Sequence, residues 1–389
     1  MSLFVEYHLI QNFAPSNLNR DDTGAPKDAL FGGHRRARVS SQCFKRAVRL
    51  KASESGAIKE ADRGVRTKKL LKLTLDKLEA QPYGRARAEA EPRVVAALAA
   101  AGLKLDEKGQ TEYLLFLGQR EIDGFVELVH AHWDELTTPP PAADDKKKSK
   151  KEARADAPEA VKKKAKGLLD GGKAIDVALF GRMLADMPGA NQDAACQVAH
   201  ALSTHRVERE FDYFTAVDDK GDDDETGAGM IGQVEFNSAT FYRYAVLDAA
   251  KLVSNLQGDR DLALTGIAAF TEALARAIPT GKQNTFAAHN PPSFIGVVLR
   301  HGSPFNLANA FEKPVWPDRA KSLTSQSVEA LAGHEQQVAA CYGDGRDTWA
   351  VLDLSGAWPE SLGKRVRNLA ELGDWIGSQV AAALDAPRS

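Results

Sequence analysis

Apolar and polar positions along the chain alternate with two different periods. Leu3 to Phe13 (LFVEYHLIQNF) is rich in β-branched and aromatic residues and predicts a buried first strand, with Glu6 and His8 set inside its apolar run. A basic loop follows, in which Arg36, Arg38 and Ser40 fall on one side of an extended segment by the period of two. Ser41 then starts a helix whose Phe44, Ala47 and Val48 face a core. Helical patterning recurs over Ile58 to Leu78, Arg93 to Leu103, Glu121 to Leu136 and Cys196 to Arg206, and a further structured run covers Ile175 to Met187. Phe211 to Val217 and Val234 to Leu247 are strand-like and predict a long hairpin with a projecting loop, DDKGDDDETGAGMIGQ. Asp261 to Ile278 is helical and stopped by Pro279 and Gly281; Phe294 to Leu299 is a further strand. An irregular segment, a helix near Ser325 to Ala340, a strand at Trp349 to Leu354 and a helix over Leu362 to Leu384 complete the pattern.

Read in order, strand, helix, strand, hairpin, strand, helix, strand is the succession of a ferredoxin-like sheet of the RRM type, within an α+β chain. Residues 1–55 and 206–300 then form the two parts of the sheet domain, 56–205 a helical insertion, 212–236 the hairpin, and 301–389 a segment covering one face of the sheet.

Charge sharpens this picture. Lys plus Arg number 51 against 53 Asp plus Glu in 389 residues, which excludes a uniformly basic nucleic-acid binder and leaves room for a local basic groove. Such a concentration lies near the start: from Lys27 onward, Lys27, Arg35, Arg36, Arg38, Lys45, Arg46, Arg49 and Lys51 face the single acid Asp28. Lys45 and Arg49 are one helical turn apart and repel each other by about 0.2–0.5 kcal/mol in an isolated helix, a repulsion that a polyanion relieves. The stretch suits a phosphate backbone; a solvated basic face is the alternative. A second basic tract, Asp144 to Lys166, has almost nothing to bury and predicts a flexible insertion over 139–166, with direct RNA contact as the alternative.

Other chemistry is sparse. Cys43, Cys196 and Cys341 are widely spaced and odd in number, which fits neither a disulfide framework nor a zinc knuckle and implies a reducing cytoplasm. The opening apolar run lacks a basic n-region, so no export or membrane-anchoring signal is expected. TGAGMIG lacks the Lys-Ser/Thr end of a phosphate-binding loop, and no G-x-S-x-G elbow occurs. His200 and His205 are five apart and read as core or surface histidines; the acids of Asp218 to Glu225 read as a solvated run, with magnesium binding as the alternative. No cofactor, metal or catalytic residue is expected. Phe241, Tyr242 and Tyr244 in FYRYA are the nearest approach to an RNA-stacking string, and core positions are the simpler reading. Met230 and Ile231, between Gly229 and Gly232, either pack into protein or act as a wedge in a base stack.

The strings NLNRDD, KDALFGG, RRARVSSQ and FKRA, followed in order by ALFGRM, AHALSTH, DYFTAVDD, FYRYA and ANAFEK, resemble the CasC-type backbone subunit (RAMP superfamily) of the type I-E CRISPR surveillance complex, Cascade. The resemblance is weak over about 110–166 and beyond about Pro314. It implies a non-enzymatic scaffold that polymerises along a CRISPR guide RNA (crRNA) beside other Cascade subunits and presents the guide to target DNA, with an RRM-like palm, helical fingers and a hairpin thumb. Carried onto matching positions, it implies that Arg20, Lys27, Lys45 and Arg49 hold guide phosphates and Gln42 makes polar contacts. Arg35, Arg36, Arg38, Ser40, Arg46, Arg66 and Lys69 belong to the same groove, and Met183 and Ile231, or neighbouring Met230, flank a displaced nucleotide. The chain departs from the family at His34, where a fixed positive charge is usual, and in its longer acidic thumb. Rival readings are a metal-dependent ribonuclease of the type III backbone kind, using Asp21, Asp22 or Asp28, and a solitary RNA-binding protein.

Overall fold

Strand β1 (Leu3–Ser16) lies in the middle of a mixed sheet and is buried on both faces. The computed structural model describes residues 3–136, 158–184, 187–216, 230–343 and 345–385. After β1 come β2 (Asp28–Phe31), β3 (His34–Val39), α1 (Ser41–Glu54), β4 (Gly64–Thr67), α2 (Leu70–Glu79), α3 (Arg87–Ala100), β5 (Leu115–Gly118) and α4 (Gln119–Ala131). Next are α5 (Glu159–Gly167), α6 (Ile175–Phe180), β6 (Cys196–Val198), β7 (Ala201–Ser203), β8 (Glu210–Ala216), β9 (Met230–Asp248), α7 (Ala249–Asn255) and α8 (Arg260–Arg276). The chain continues with α9 (Gln283–Phe286), β10 (Phe294–His301), α10 (Leu323–Tyr342), β11 (Thr348–Asp353), β12 (Lys364–Arg365) and α11 (Leu369–Asp385).

Two units result. The first comprises Met1–Ser55, Cys196–Ala250 and Ile267–Ser389, the second Gly56–Ala195 and Lys251–Gly266. In the first, the sheet order is β12-β11-β10-β1-β9-β7-β3-β2, with β6 and β8 also paired to β9. The run β10-β1-β9-β6/β7 is the ferredoxin-like arrangement, and β8 pairs with the outer part of β9 from Glu210↔Phe236 to Ala216↔Met230 as the long hairpin.

One predicted helix is replaced. Cys196 to Arg206 forms β6 and β7, paired to β9 through Cys196↔Leu247 and Leu202↔Tyr242, and β7 also pairs with β3. Cys196, Ala201 and Ser203 are buried there, so sheet pairing overrides the helix-forming composition of this stretch. The second ferredoxin strand is therefore β6–β7 rather than Phe211 to Val217.

Side chains of β1 alternate between two cores. Tyr7 points toward α8, where its hydroxyl lies 2.8 Å from Thr271 Oγ1 and its ring meets Phe270 edge-on. Ile10 packs on the other face with Tyr242, Phe294, Leu331, Trp349 and Trp358. Glu6 and His8 share that second face and are fully buried. The Glu6 carboxylate accepts from Arg300 Nε at 3.1 Å and from the Phe305 backbone N–H at 2.8 Å. Arg300, itself fully buried, donates to Asp347 at 2.7 Å and to both Glu335 oxygens at 3.3 Å. Burial pushes the Glu335 carboxyl up, against the opposing pull of Arg300.

In the second unit α2, α3, α4 and α5 enclose a core including Leu70, Leu98, Phe125 and Val129, beside a β4–β5 ladder. Ile58 to Leu78 is not one helix: β4 interrupts it, and the Gly64 backbone N–H donates to Asp176 at 2.6 Å. The expectation of a flexible tract over 139–166 is corrected at its end, because Glu159–Gly167 is helix α5 with Val161 and Ala165 buried one turn apart; residues 139–157 lie outside the described residues. Among the described residues, no helix is long and apolar enough to cross a membrane.

Arg300→Ala should destabilise the first unit by about 3–5 kcal/mol, because it leaves buried carboxylates without their cation. Chemical unfolding monitored by tryptophan fluorescence reads this; a loss below ~1 kcal/mol would show that the network contributes little.

Candidate nucleic-acid interface

The basic stretch folds as a hairpin followed by a helix. Gly32 and Gly33 have φ of +57° and +77°, the two left-handed positions of a tight turn, with Phe31 opposite His34. A Cβ on Gly32 would stand 1.8 Å from the Glu312 carbonyl oxygen, so only glycine lets the turn approach the segment around Phe311.

Arg36 secures that approach. It is fully buried, donating through Nη1 to the carbonyls of Ser203 (3.0 Å) and Thr204 (2.9 Å) and through Nη2 to those of Phe311 (2.7 Å) and Glu312 (3.2 Å). Its assignment to an RNA groove is corrected: the side chain is fully buried and both terminal nitrogens are occupied by four backbone carbonyls. Ser40 is likewise mostly buried and caps α1, its hydroxyl accepting from the Cys43 N–H at 3.4 Å and its backbone N–H donating to Asn19 at 2.9 Å.

The remaining cations reach the surface by different routes. Arg35 is exposed and ion-paired with Asp28, which also binds Arg209 at 2.8 Å. Arg38 donates to the Asp28 carbonyl at 3.0 Å and to His200 Nδ1 at 3.0 Å. Burial, then Arg38 and Lys27, hold the His200 imidazole below its ordinary pKa, consistent with a neutral acceptor. Along α1, Phe44, Val48 and Ala52 are buried, Gln42 and Arg46 are exposed, and Lys45 and Arg49 are half-buried. Burial raises the Cys43 thiol pKa against the fields of Lys27 and Arg46. Lys27 and Arg38 are brought together by their backbones, the Arg38 N–H donating to the Lys27 carbonyl at 2.9 Å, and Arg46 stands exposed on the helix that follows. Arg20 stands exposed in the β1–β2 loop.

Of the acids, Asp21 accepts from the Thr23 hydroxyl at 2.7 Å and from the N–H groups of Thr23 and Ala25 at 3.0 Å, which orders its loop and lowers its pKa. Asp22 is exposed. Burial pushes the Asp28 carboxyl up, but the hydrogen bonds and charges of Arg35 and Arg209 outweigh it and hold the pKa below its ordinary 3.8.

In the second unit Lys69 is exposed, and exposed Arg66 stacks over Phe116 at 4.5 Å. Met183 is 83% exposed, an unusual position for a methionine. The preceding residue, Arg182, is buried and donates to both Glu121 oxygens at 2.8 and 3.0 Å and to the carbonyls of Phe116, Leu169 and Ala190. Met230 and Ile231 lie at the outer end of the described β8–β9 ladder, opposite Ala216 and Thr215; the acidic run Asp218 to Glu225 lies outside the described residues.

Phe241, Tyr242 and Tyr244 are buried, and the Tyr242 hydroxyl is bonded to His8 Nδ1 at 2.9 Å, so FYRYA is core. Exposed aromatics occur instead on β8, at Phe211, Tyr213 and Phe214. The alternation of Phe211 and Tyr213 with Asp212 puts the two rings on one strand face, a signal already present in the sequence.

Asp28→Asn should lower stability at neutral pH, and the gap from the parent should close on acidification. A carboxyl with a depressed folded pKa contributes fully above its unfolded value and loses that contribution as pH falls through the folded one. Urea unfolding across an acid series checks the sign; a gap that widens on acidification contradicts it.

Residues 5–375 match the model of the CT1975-like protein family. Among solved structures, a chain of a "CRISPR RNA-guided surveillance complex, pre-nicking" aligns with a TM-score of 0.81 and 31% identity, covering 98% of this chain and 100% of that one. A chain of a "CRISPR RNA-guided surveillance complex" aligns with a TM-score of 0.60 and 25% identity, covering 98% and 99%. No curated protein matches. With the family model spanning nearly the whole chain and the ferredoxin-like sheet intact, this chain belongs to the CT1975-like protein family.

Proposed function

We propose that this protein is a crRNA-binding backbone subunit of a cytoplasmic CRISPR surveillance complex of the type I-E Cascade kind. Copies polymerise along the guide RNA beside other Cascade subunits, with the sheet domain as palm, the helical insertion as fingers and the hairpin as thumb. The observation that carries this reading is the clustering of cations on one short stretch of one unit, with Lys27 and Arg38 joined backbone to backbone at 2.9 Å and Arg46 exposed on the following helix, on a chain 31% identical to one from a CRISPR RNA-guided surveillance complex. Clustered cations without sequence-reading side chains suit a backbone. Arg20, Gln42, Lys45 and Arg49 extend that surface, and Arg66 and Lys69 are further contacts.

Selectivity then rests with base pairing between guide and target DNA, while the protein recognises shape and phosphates. In this scheme exposed Met183 of the second unit lies against a displaced nucleotide, and Ile231 or Met230 of the hairpin is assigned the same kind of contact by the resemblance. The scaffold is non-enzymatic and needs no cofactor. Asp21 is engaged in ordering its own loop and Asp28 in two ion pairs, which supports that reading over a ribonuclease built on either of them, while Asp22 is exposed.

Changing Lys45 and Arg49 together to Ala should weaken binding to guide-length RNA and reduce the slope of log affinity against log salt by up to about 1.4, at ~0.7 for each phosphate contact on a single strand. An unchanged slope in a salt titration would make α1 an ordinary solvated face.

Met183→Ser should leave that slope alone but alter the guide. Chemical probing of bases in the assembled particle should give regularly spaced hyper-reactive positions with the parent and a flatter profile with the variant. A parent profile without periodicity removes the displaced-nucleotide scheme.

A further inference from the structure

The first unit carries another cation whose placement is bought with backbone strain. A cavity of 260 Å³ near the base of the hairpin is lined by Arg20, Thr23, Gln233, Glu235 and Lys282, among others. Lys282 has φ +50° and ψ +26°, in the left-handed region that glycine normally occupies. Its position is fixed by the backbone on both sides. A Cβ on Gly281 would stand 2.3 Å from the Leu18 carbonyl oxygen and 2.7 Å from that of Asn17, so the loop is pressed onto the chain that leads to Arg20. Gln283 Nε2 donates to the Pro279 carbonyl at 2.9 Å and closes the loop from the other end.

The surroundings favour an anion. Neither Arg20 nor Lys282 has an ion-pair partner among the described residues. Glu235, the carboxylate in the lining, is bonded to Arg209 at 3.1 Å. The Thr23 hydroxyl donates to Asp21, which holds the edge of the loop that carries Arg20. Glycine at 282 would relieve the strain but supply no charge, and strain of this kind is retained where the surrounding structure imposes it and a site uses it.

We infer that Lys282 and Arg20 form a phosphate clamp beside the hairpin, seating one phosphodiester of the bound RNA; this rests on the RNA-binding reading above. The test is a salt titration of the full chain against guide-length single-stranded RNA, with thermal melts of each form. Lys282→Gly keeps the left-handed backbone and removes the charge. It should melt at or above the parent temperature, bind RNA several-fold more weakly and lose about 0.7 of the salt slope. Lys282→Arg should keep the parent slope.

A Lys282→Gly variant with the parent's affinity and slope overturns the clamp while leaving the RNA-binding reading in place. If that variant melts early, Lys282 is a structural residue and the clamp is equally overturned. A parent that binds RNA without salt dependence overturns the RNA-binding reading, and the clamp with it.

Discussion

A central strand buried on both faces must satisfy every polar group it carries, and β1 carries Glu6, His8 and Gln11. Much of the first unit is arranged around that requirement. Arg300 arrives from β10 for Glu6, Tyr242 from β9 for His8, and Arg243 from β9 for Gln11 at 2.5 Å. Arg300 then needs anions of its own, which α10 and the approach to β11 supply as Glu335 and Asp347. The segment after residue 301 is therefore tied to the sheet by charge as well as by apolar contact. Replacing such a network by apolar residues can be neutral, whereas removing one member is severe, so its value lies in specifying one arrangement of strands and helices.

Legibility in the sequence followed how local the determining interaction was. The two-faced burial of β1, the helix after Ser41 and the long hairpin are all written in short-range periodicity, and all are present. Strands β6 and β7 are hidden from local pattern because each is three residues long and pairs with strands far away in sequence, leaving composition to suggest a helix. Helix α5 is hidden because its stripe consists of Val161 and Ala165 amid lysines.

The candidate site shows the same division. Charge density located the basic stretch, but no count could tell Arg36 from Arg38. One meets carbonyls contributed by residues 203, 204, 311 and 312, the other a histidine at the surface. The resemblance to a surveillance-complex backbone agrees with the family match at the level of such complexes in general. Met183 is indicated by resemblance alone; it follows Arg182, whose pairing with Glu121 joins positions 61 residues apart.

Strand β9 is continuous over 19 residues, and its support changes hands midway. Up to Phe236 it is paired with β8, and from Asn237 onward with β1. In mechanical terms the described part of the hairpin is a cantilever of roughly 23 Å, at ~3.3 Å per residue, clamped at its root by the sheet. Asn17 braces that root, its side-chain amide donating to the carbonyls of Glu235 at 2.8 Å and Gly24 at 3.0 Å. A load carried along these two strands therefore reaches the loop bearing Arg20 through Asn17 and, beside it, through Arg209, which bonds Glu235 at 3.1 Å and Asp28 at 2.8 Å.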